Sequence, residues 1–563
     1  MSGTILTPGA IWRRFEIPST PKVTAIDKKK SGSVSYTTIE IEGRKVKGDI
    51  VRIHGVFAKG KFSTPAPAIL LLRDFESGFD ERIQEDLAKK GYIVLAIDIA
   101  GKTEDKEFYT RYPEAISYAN YQNVKDSLYK IEGDVKDTCW YEWTAVLKYA
   151  LALLKSREEI TTVGCFGIGE AATVAWQLAG TTESLDCACF ALNAGWNGYR
   201  GIYKFSGSVE PQFSDNMYKF IAGVEPQAYA MHVKCPVLML TATNSNYYDC
   251  DRAYDTVSRI AEAEYRAVHY SVGYRDRVSG EAYQDAVMFF DRFLKTDSYK
   301  FNLPKETDIK CDLSDGKILI EVEPDENELK ELAVFVSEET VEPCLRAWKK
   351  HTEYKKSENG KHLFSYTPYQ ESGLVTVFAQ ATYKSGFVMG SNIVSKRFNK
   401  EIGFAHKENI LYSSRLVGAD SLFTAENQAI DNPNHVNIEE KRRVHVKKGP
   451  MGIEGVYCEW GLMTFKMNAV KDKPGQDAML MFDVYAEKDT SFTVKLIADY
   501  FGAHTEYLST VSLKGGEVWH NVKITRNRFK TVEGMPLRNY DKVNAVAFNA
   551  EDGEYLINNA LWV

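Results

Sequence analysis

The chain lacks the cysteine pattern of a disulfide framework or a zinc centre. Nine cysteines among 563 residues are an odd number, and none sits in a CxxC or ribbon-like spacing. Cys187 and Cys189 fall in the mostly apolar run Leu185–Leu192, where a small thiol behaves as a hydrophobe. Reduced thiols and a cytoplasmic protein are the expectation. The chain also lacks any run of eighteen apolar residues, so no helix is expected to cross a membrane. Its opening, MSGTILTPGAIWRRFEIP, shows no apolar core of a secretory signal. A basic excess is missing too: 70 Lys and Arg face 77 Asp and Glu, for a net charge of −7. Nucleic acid is therefore not an expected partner. The cluster Lys441-Arg442-Arg443 with Lys447-Lys448 is short and mixed, and reads as a solvated strand end.

What is present is ample material for folded cores, with 44% hydrophobic and 12% aromatic residues. The length suggests about three to four domains. Strand-like runs at Ala68–Leu72, Ile93–Ile97, Thr162–Phe166, Cys187–Leu192, Val237–Leu240 and Val268–Val272 alternate with helical patterns. The helical patterns are Glu81–Lys90, Trp140–Lys155, Glu170–Ala179, Asp251–Ala263 and Gly280–Leu294. Such alternation predicts βαβ units and a mostly parallel sheet with helices on both faces. Near Phe301 helical periodicity fades and short alternating strands take over, with a plausible boundary at Phe398-Asn399-Lys400. The expected architecture is an α/β domain over 1–300, then two all-β sandwich domains over 301–398 and 399–563.

The most informative stretch runs from Ile160 to Trp176, an apolar strand entering a Gly-rich turn and then a helix. This is the setting of a nucleophile elbow, G-x-S-x-G, with small residues two positions either side of the nucleophile. Here the flanks are Gly167 and Ala171, and the central position is Gly169. Gly164, Gly167 and Gly169 are not in the register of a dinucleotide-binding GxGxxG loop, and no cofactor is expected. With the runs Pro67–Leu72, Gly91–Asp98 with Gly101, and Cys235–Asn244, the first 300 residues resemble the α/β-hydrolase superfamily. The branch they resemble is that of dienelactone hydrolases and acetyl xylan esterases.

That resemblance implies a Ser–Asp–His triad in this chain order, with a hydroxyl to acylate, a base to take its proton and a carboxylate to orient the base. The three positions carry Gly169, Ser245 and Tyr274, so all three members are replaced. The resemblance also implies an oxyanion hole from backbone N–H groups at Glu170 and around Arg73-Asp74, which does not depend on side chains. His269 and Asp249 are the nearest substitutes for base and acid, though His269 lies in an apolar strand. The expected function is a catalytically degenerate hydrolase that binds a glycan or an acylated small molecule. An active ester hydrolase with non-standard residues and a structural or assembly protein are the alternatives.

The middle segment resembles an immunoglobulin-like sandwich through Ala333–Ser337, Arg346–Lys349, Leu374–Tyr383 and Gly386-Phe387-Val388. The last segment resembles galactose-binding-like jelly rolls through Val518–Ile524, Pro536–Tyr540 and Tyr555–Val563. Because sugars stack on aromatic faces, Trp460, Tyr500, Phe501 and Tyr507 are the glycan-facing candidates of that segment. No metal ligands and no oligomeric state are indicated.

Overall fold

Three antiparallel strands that no apolar run announces begin the sheet: β1 (Val23–Ser31), β2 (Val34–Val46) and β3 (Asp49–Lys59). Every residue of β1 is exposed and β2 largely alternates, so neither produces the continuous hydrophobic stretch that marks a strand buried on both faces. This N-terminal part corrects the expected layout, which placed no strand before Ala68. The computed structural model describes residues 4–563 except 73–74, 76–80, 104–107, 208–210, 274–277, 296–301, 315, 358–359, 369–372, 399–408, 426–443 and 470–471.

The remaining strands of this sheet are β4 (Ala66–Leu72), β5 (Ile93–Ile97), β6 (Ile160–Ile168), β7 (Cys187–Ala191), β8 (Val237–Ala242) and β9 (Arg266–Ser271). The order is β1-β2-β3-β5-β4-β6-β7-β8-β9, antiparallel as far as the β3–β5 pair and parallel beyond it. Helices Cys139–Lys155 and Ala171–Ala179 bury Trp140, Trp143 and Trp176 on one face. Helix Gly280–Leu294 buries Phe289 and Phe290 on the other. The helix predicted as Asp251–Ala263 is shorter, Cys250–Val257.

Both faces of this core continue into the following segment. Phe335, Trp348 and Phe378 join the first cluster, while Val334, Val336 and Val377 join the second. Gly390 lies so close to the Tyr270 ring that a Cβ there would come within 2.5 Å of it, and Tyr270 in turn meets Phe378 at 5.0 Å. The middle segment consists of a four-stranded and a five-stranded antiparallel sheet. The run from Phe387 onward forms two strands, Val388–Gly390 and Val394–Phe398.

A six-stranded and a five-stranded antiparallel sheet complete the chain around a separate core that includes Phe482, Val494, Leu496, Ile524, Phe548, Ile557 and Trp562. Trp519 is half-buried outside that core, where its Nε1 donates to the Pro450 carbonyl at 3.2 Å. The apolar run Val456–Met467 forms two strands, Glu454–Tyr457 and Leu462–Thr464, separated by a turn that uses Gly461 at φ +80°. All nine cysteines are thiols, eight buried and Cys311 partly exposed. Among the described residues no helix is long and apolar enough to cross a membrane.

Candidate functional site

At the end of β6 the backbone turns sharply at Gly169 and enters helix Ala171–Ala179. Gly169 has φ +64°, a left-handed conformation that glycine adopts at little cost, and its N–H donates to the Ala191 carbonyl at 3.0 Å. Two residues earlier, a Cβ on Gly167 would stand 2.5 Å from the Ala175 Cβ and 3.0 Å from the Ala172 Cα. Only glycine lets the helix pack this tightly on the strand. The turn thus has the strand–turn–helix form of an elbow, and its apex carries no side chain.

The carboxylate beside the apex is held in place. Glu170 accepts from the Tyr129 hydroxyl at 2.6 Å and from Asn193 Nδ2 at 3.2 Å, with Arg200 at 3.8 Å. Burial, and then the Glu170 charge, push the Tyr129 hydroxyl well above the usual tyrosine range. Arg73, Asp74 and Tyr274 lie outside the described residues, so the oxyanion-hole partner and the histidine position have no described geometry.

After β8, the buried Ser245 accepts through Oγ from the N–H groups of Tyr247 (3.1 Å) and Tyr248 (3.2 Å), closing a tight turn. Asp249 then caps helix Cys250–Val257 by accepting the Asp251 N–H at 2.9 Å, with Arg252 Nε 3.4 Å away. Burial and the neighbouring Asp251 charge push the Asp249 carboxyl up to about 7. Asp251 is turned inward to Arg346 of the middle segment, and Asn244 Nδ2 donates to the carbonyls of Cys344 (3.2 Å) and Arg346 (2.6 Å). His269 is buried inside the sheet, its Nδ1 2.7 Å from Asp285 Oδ2 on the last helix, an oxygen that also accepts the Val388 N–H at 3.0 Å. The structure therefore separates His269 from Asp249 and gives each a local partner.

A cleft of about 320 Å³ opens past the ends of β7 and β8. Its walls are the loop Gly195–Tyr203, the turn Ser245–Asp249, Glu342–Cys344 of the middle segment and Phe501 of the last. Arg200 lines it and, reaching toward Glu170, links it to the elbow. Trp196 is held at φ +65°: its N–H donates to Glu225 at 2.8 Å and its Nε1 to Thr256 Oγ1 at 2.8 Å. The guanidinium groups of Arg252 and Arg259 lie over its ring, 4.9 and 5.1 Å from the centroid. Glu225 is fully buried, also accepts from Gly198 N–H (2.9 Å) and Gln227, and is pushed by burial up to about 7.

Sequence reasoning missed this cleft apart from its Ser245, Asp249 and Phe501. One usable signal was the Gly- and aromatic-rich run Gly195-Trp196-Asn197-Gly198-Tyr199 directly after a buried strand, where α/β sheets place ligand loops. Of the four aromatics proposed for the last segment, Phe501 lines the cleft. Tyr500 is buried against Phe465, at 4.9 Å between rings. Trp460 is half-buried in the turn before Gly461, and Tyr507 is half-buried on strand Thr505–Leu513. Among the described residues no group of His, Cys, Asp and Glu is arranged to hold a metal ion.

No protein-family model matches the chain, and no curated protein matches it. Solved structures do. The chain is similar to an acetyl xylan esterase from Paenibacillus sp. R4, with 16% identity over 51% of this chain and 92% of that one, TM-score 0.36. It is similar to Acetyl Xylan Esterase 1 from Thermoanaerobacterium sp. JW/SL YS485, with 13% identity over 53% and 96%, TM-score 0.37. A third is a cold-adapted esterase from an Arctic intertidal metagenomic library, with 14% identity over 48% and 97%, TM-score 0.32.

Proposed function

We propose that this chain is a carbohydrate-esterase-like hydrolase that has lost its serine chemistry and binds a glycan or an acylated ligand at the ends of β7 and β8. The observation that carries this reading is Gly169: the apex of an elbow-shaped turn offers no oxygen to acylate. Three further features support it. Ser245 spends its hydroxyl on a turn, His269 is tied to Asp285 inside the sheet, and the open cleft beside the elbow is lined by Trp196, Tyr199 and Tyr247. We read the middle segment as an immunoglobulin-like sandwich and the last as a galactose-binding-like jelly roll, each supported by its pair of antiparallel sheets. A cytoplasmic location fits nine thiols without a disulfide.

The test is hydrolysis of p-nitrophenyl acetate by the purified chain, with a fluorophosphonate probe in parallel. Turnover no greater than that of a heat-inactivated control, and no labelling, are expected. Serine-dependent turnover or labelling of any residue at the cleft would overturn the reading and restore an active ester hydrolase.

A further inference from the structure

We infer that the loop Gly195–Tyr203 is a pH-sensitive wall of the cleft: the carboxyl of Glu225, buried beneath it, holds the loop while protonated and loosens it once ionised. The inference rests on the ligand-binding reading of this cleft and adds how the cleft is regulated.

Glu225 stands just before helix Pro226–Tyr229 and is fully buried. Its oxygens take up the first amides of the loop. Oε2 accepts the Trp196 N–H at 2.8 Å and Oε1 the Gly198 N–H at 2.9 Å. Gln227 closes the site from the helix side, its Nε2 donating to Glu225 Oε2 and its Oε1 accepting the Trp196 N–H at 3.1 Å. Gly195 packs so tightly here that a Cβ on it would run into Gln227 Oε1.

All of these partners are neutral. The titratable groups on the elements around the carboxyl are Asp215 and Lys219 of helix Asp215–Gly223, His232 and Tyr229 behind helix Pro226–Tyr229, Asp251, Arg252 and Asp255 of helix Cys250–Val257, and Arg259 beyond it. Asp251 is turned to Arg346, Arg252 to Asp249 and Asp255 to Lys204. Among the described residues none of these groups forms an ion pair with Glu225.

A carboxylate with no cation beside it is costly to bury, so the closed loop favours the protonated form and contact with water favours the ionised one. Burial accordingly pushes this carboxyl up to about 7. The residues of helix Pro226–Tyr229 next to it, Pro226 and Gln227, are buried, whereas Trp196 and Tyr199 are partly exposed and Arg200 is exposed, so water reaches the carboxyl from the loop side. Trp196 is held at φ +65°, a strain that opening relieves. Its indole is anchored separately, by Thr256 and beneath Arg252 and Arg259. What ionisation loosens is therefore the backbone from Trp196 to Gly198. Asp249 is the other carboxyl of the cleft pushed up to about 7, and it accepts from the Asp251 N–H.

The test is hydrogen–deuterium exchange of the full chain, read by mass spectrometry on peptides covering 195–203 at pH 6, 7 and 8. Exchange times are scaled for the intrinsic effect of pH, and the parent is compared with Glu225→Gln and Asp249→Asn. With the carboxyl at about 7 in the closed loop and 4.5 in water, opening should rise about tenfold from pH 6 to pH 8 in the parent. The same rise is expected in Asp249→Asn, and less than a twofold one in Glu225→Gln. A flat profile in the parent, a rise retained in Glu225→Gln, or a rise abolished by Asp249→Asn would overturn the switch. So would loop amides that exchange no faster than those of strand Cys187–Ala191, because the loop would then open only with the whole chain. Should Glu225→Gln lose its native near-UV circular dichroism, the parent and Asp249→Asn decide by the same outcomes. No ligand is present in this measurement, so a failed switch leaves the ligand-binding reading standing, and that reading falls only by the hydrolysis and labelling above.

Discussion

The guanidinium of Arg346 grips both carboxylate oxygens of Asp251, with neither side chain exposed to solvent, across 95 positions of sequence. Two further Arg346 donors reach the carbonyls of Thr340 (3.0 Å) and Val341 (3.1 Å). The loop that would carry the acid of a triad is thereby fastened to the middle segment.

Removing one partner leaves an uncompensated buried charge, which typically costs about 3–5 kcal/mol. Arg346→Met is expected to destabilise the chain by that amount in urea denaturation. Arg346→Met combined with Asp251→Leu should recover most of the loss, because an apolar pair has no charge to desolvate. Equal instability of the single and double variants would show that the site tolerates no repacking.

Glu225 makes stability depend on pH. Its carboxyl is pushed up to about 7 from an ordinary value of 4.5, so between those values the folded chain keeps a proton that the unfolded chain releases. Stability from this group therefore falls as pH rises from about 4.5 through 7 and levels off above, by up to roughly 3 kcal/mol in total. Denaturation at pH 5, 6, 7 and 8 should show a shallower slope for Glu225→Gln than for the parent chain. Asp249 pulls in the same direction and keeps part of the slope in the variant.

Gly169→Ser places a side chain where φ is +64°. Strained positions of this kind cost about 1–3 kcal/mol, and a loss of roughly 1 kcal/mol is expected. Esterase activity should not appear, since Ser245 and Tyr274 supply neither acid nor base. Adding Ser245→Asp and Tyr274→His should yield weak ester hydrolysis. A triple variant that folds but reacts with no serine-directed probe would remove support from the three positions.

The segment from 400 to 563 has its own apolar cluster, built from residues such as Leu480, Phe482, Val494, Phe548 and Trp562. Expressed alone, it should be soluble and unfold in one cooperative transition. Its cost is an exposed patch around Phe423 and Phe465, which otherwise packs near Leu345. A molten fragment beside a well-folded full chain would count against the boundary.

Sequence patterning revealed what is locally encoded. Strands such as Ile93–Ile97 and Cys187–Ala191 are buried at every position, and their apolar runs stand out from their neighbours. The elbow was legible because Gly167 and Gly169 sit within one strand–turn–helix unit. β1 was not, because an edge strand whose side chains all face water carries no hydrophobic period. The cleft was hidden for a different reason: Trp196, Glu342 and Phe501 meet only through tertiary packing. Nothing near any one of them in sequence points to the others. The Arg346–Asp251 pair escaped notice in the same way.

The thiols buried in these cores offer a clock for the molecule's own opening. In the native state a water-soluble disulfide reagent should reach Cys311 first, the one thiol of the nine that is partly exposed. The other eight become reactive only when their surroundings part, so the order in which they react would report which core breathes first. Cys165, Cys187 and Cys189 sit in the central sheet and Cys458 in the last core. Peptide mapping of the labelled sites would therefore time the two ends of the chain separately, with no introduced probe.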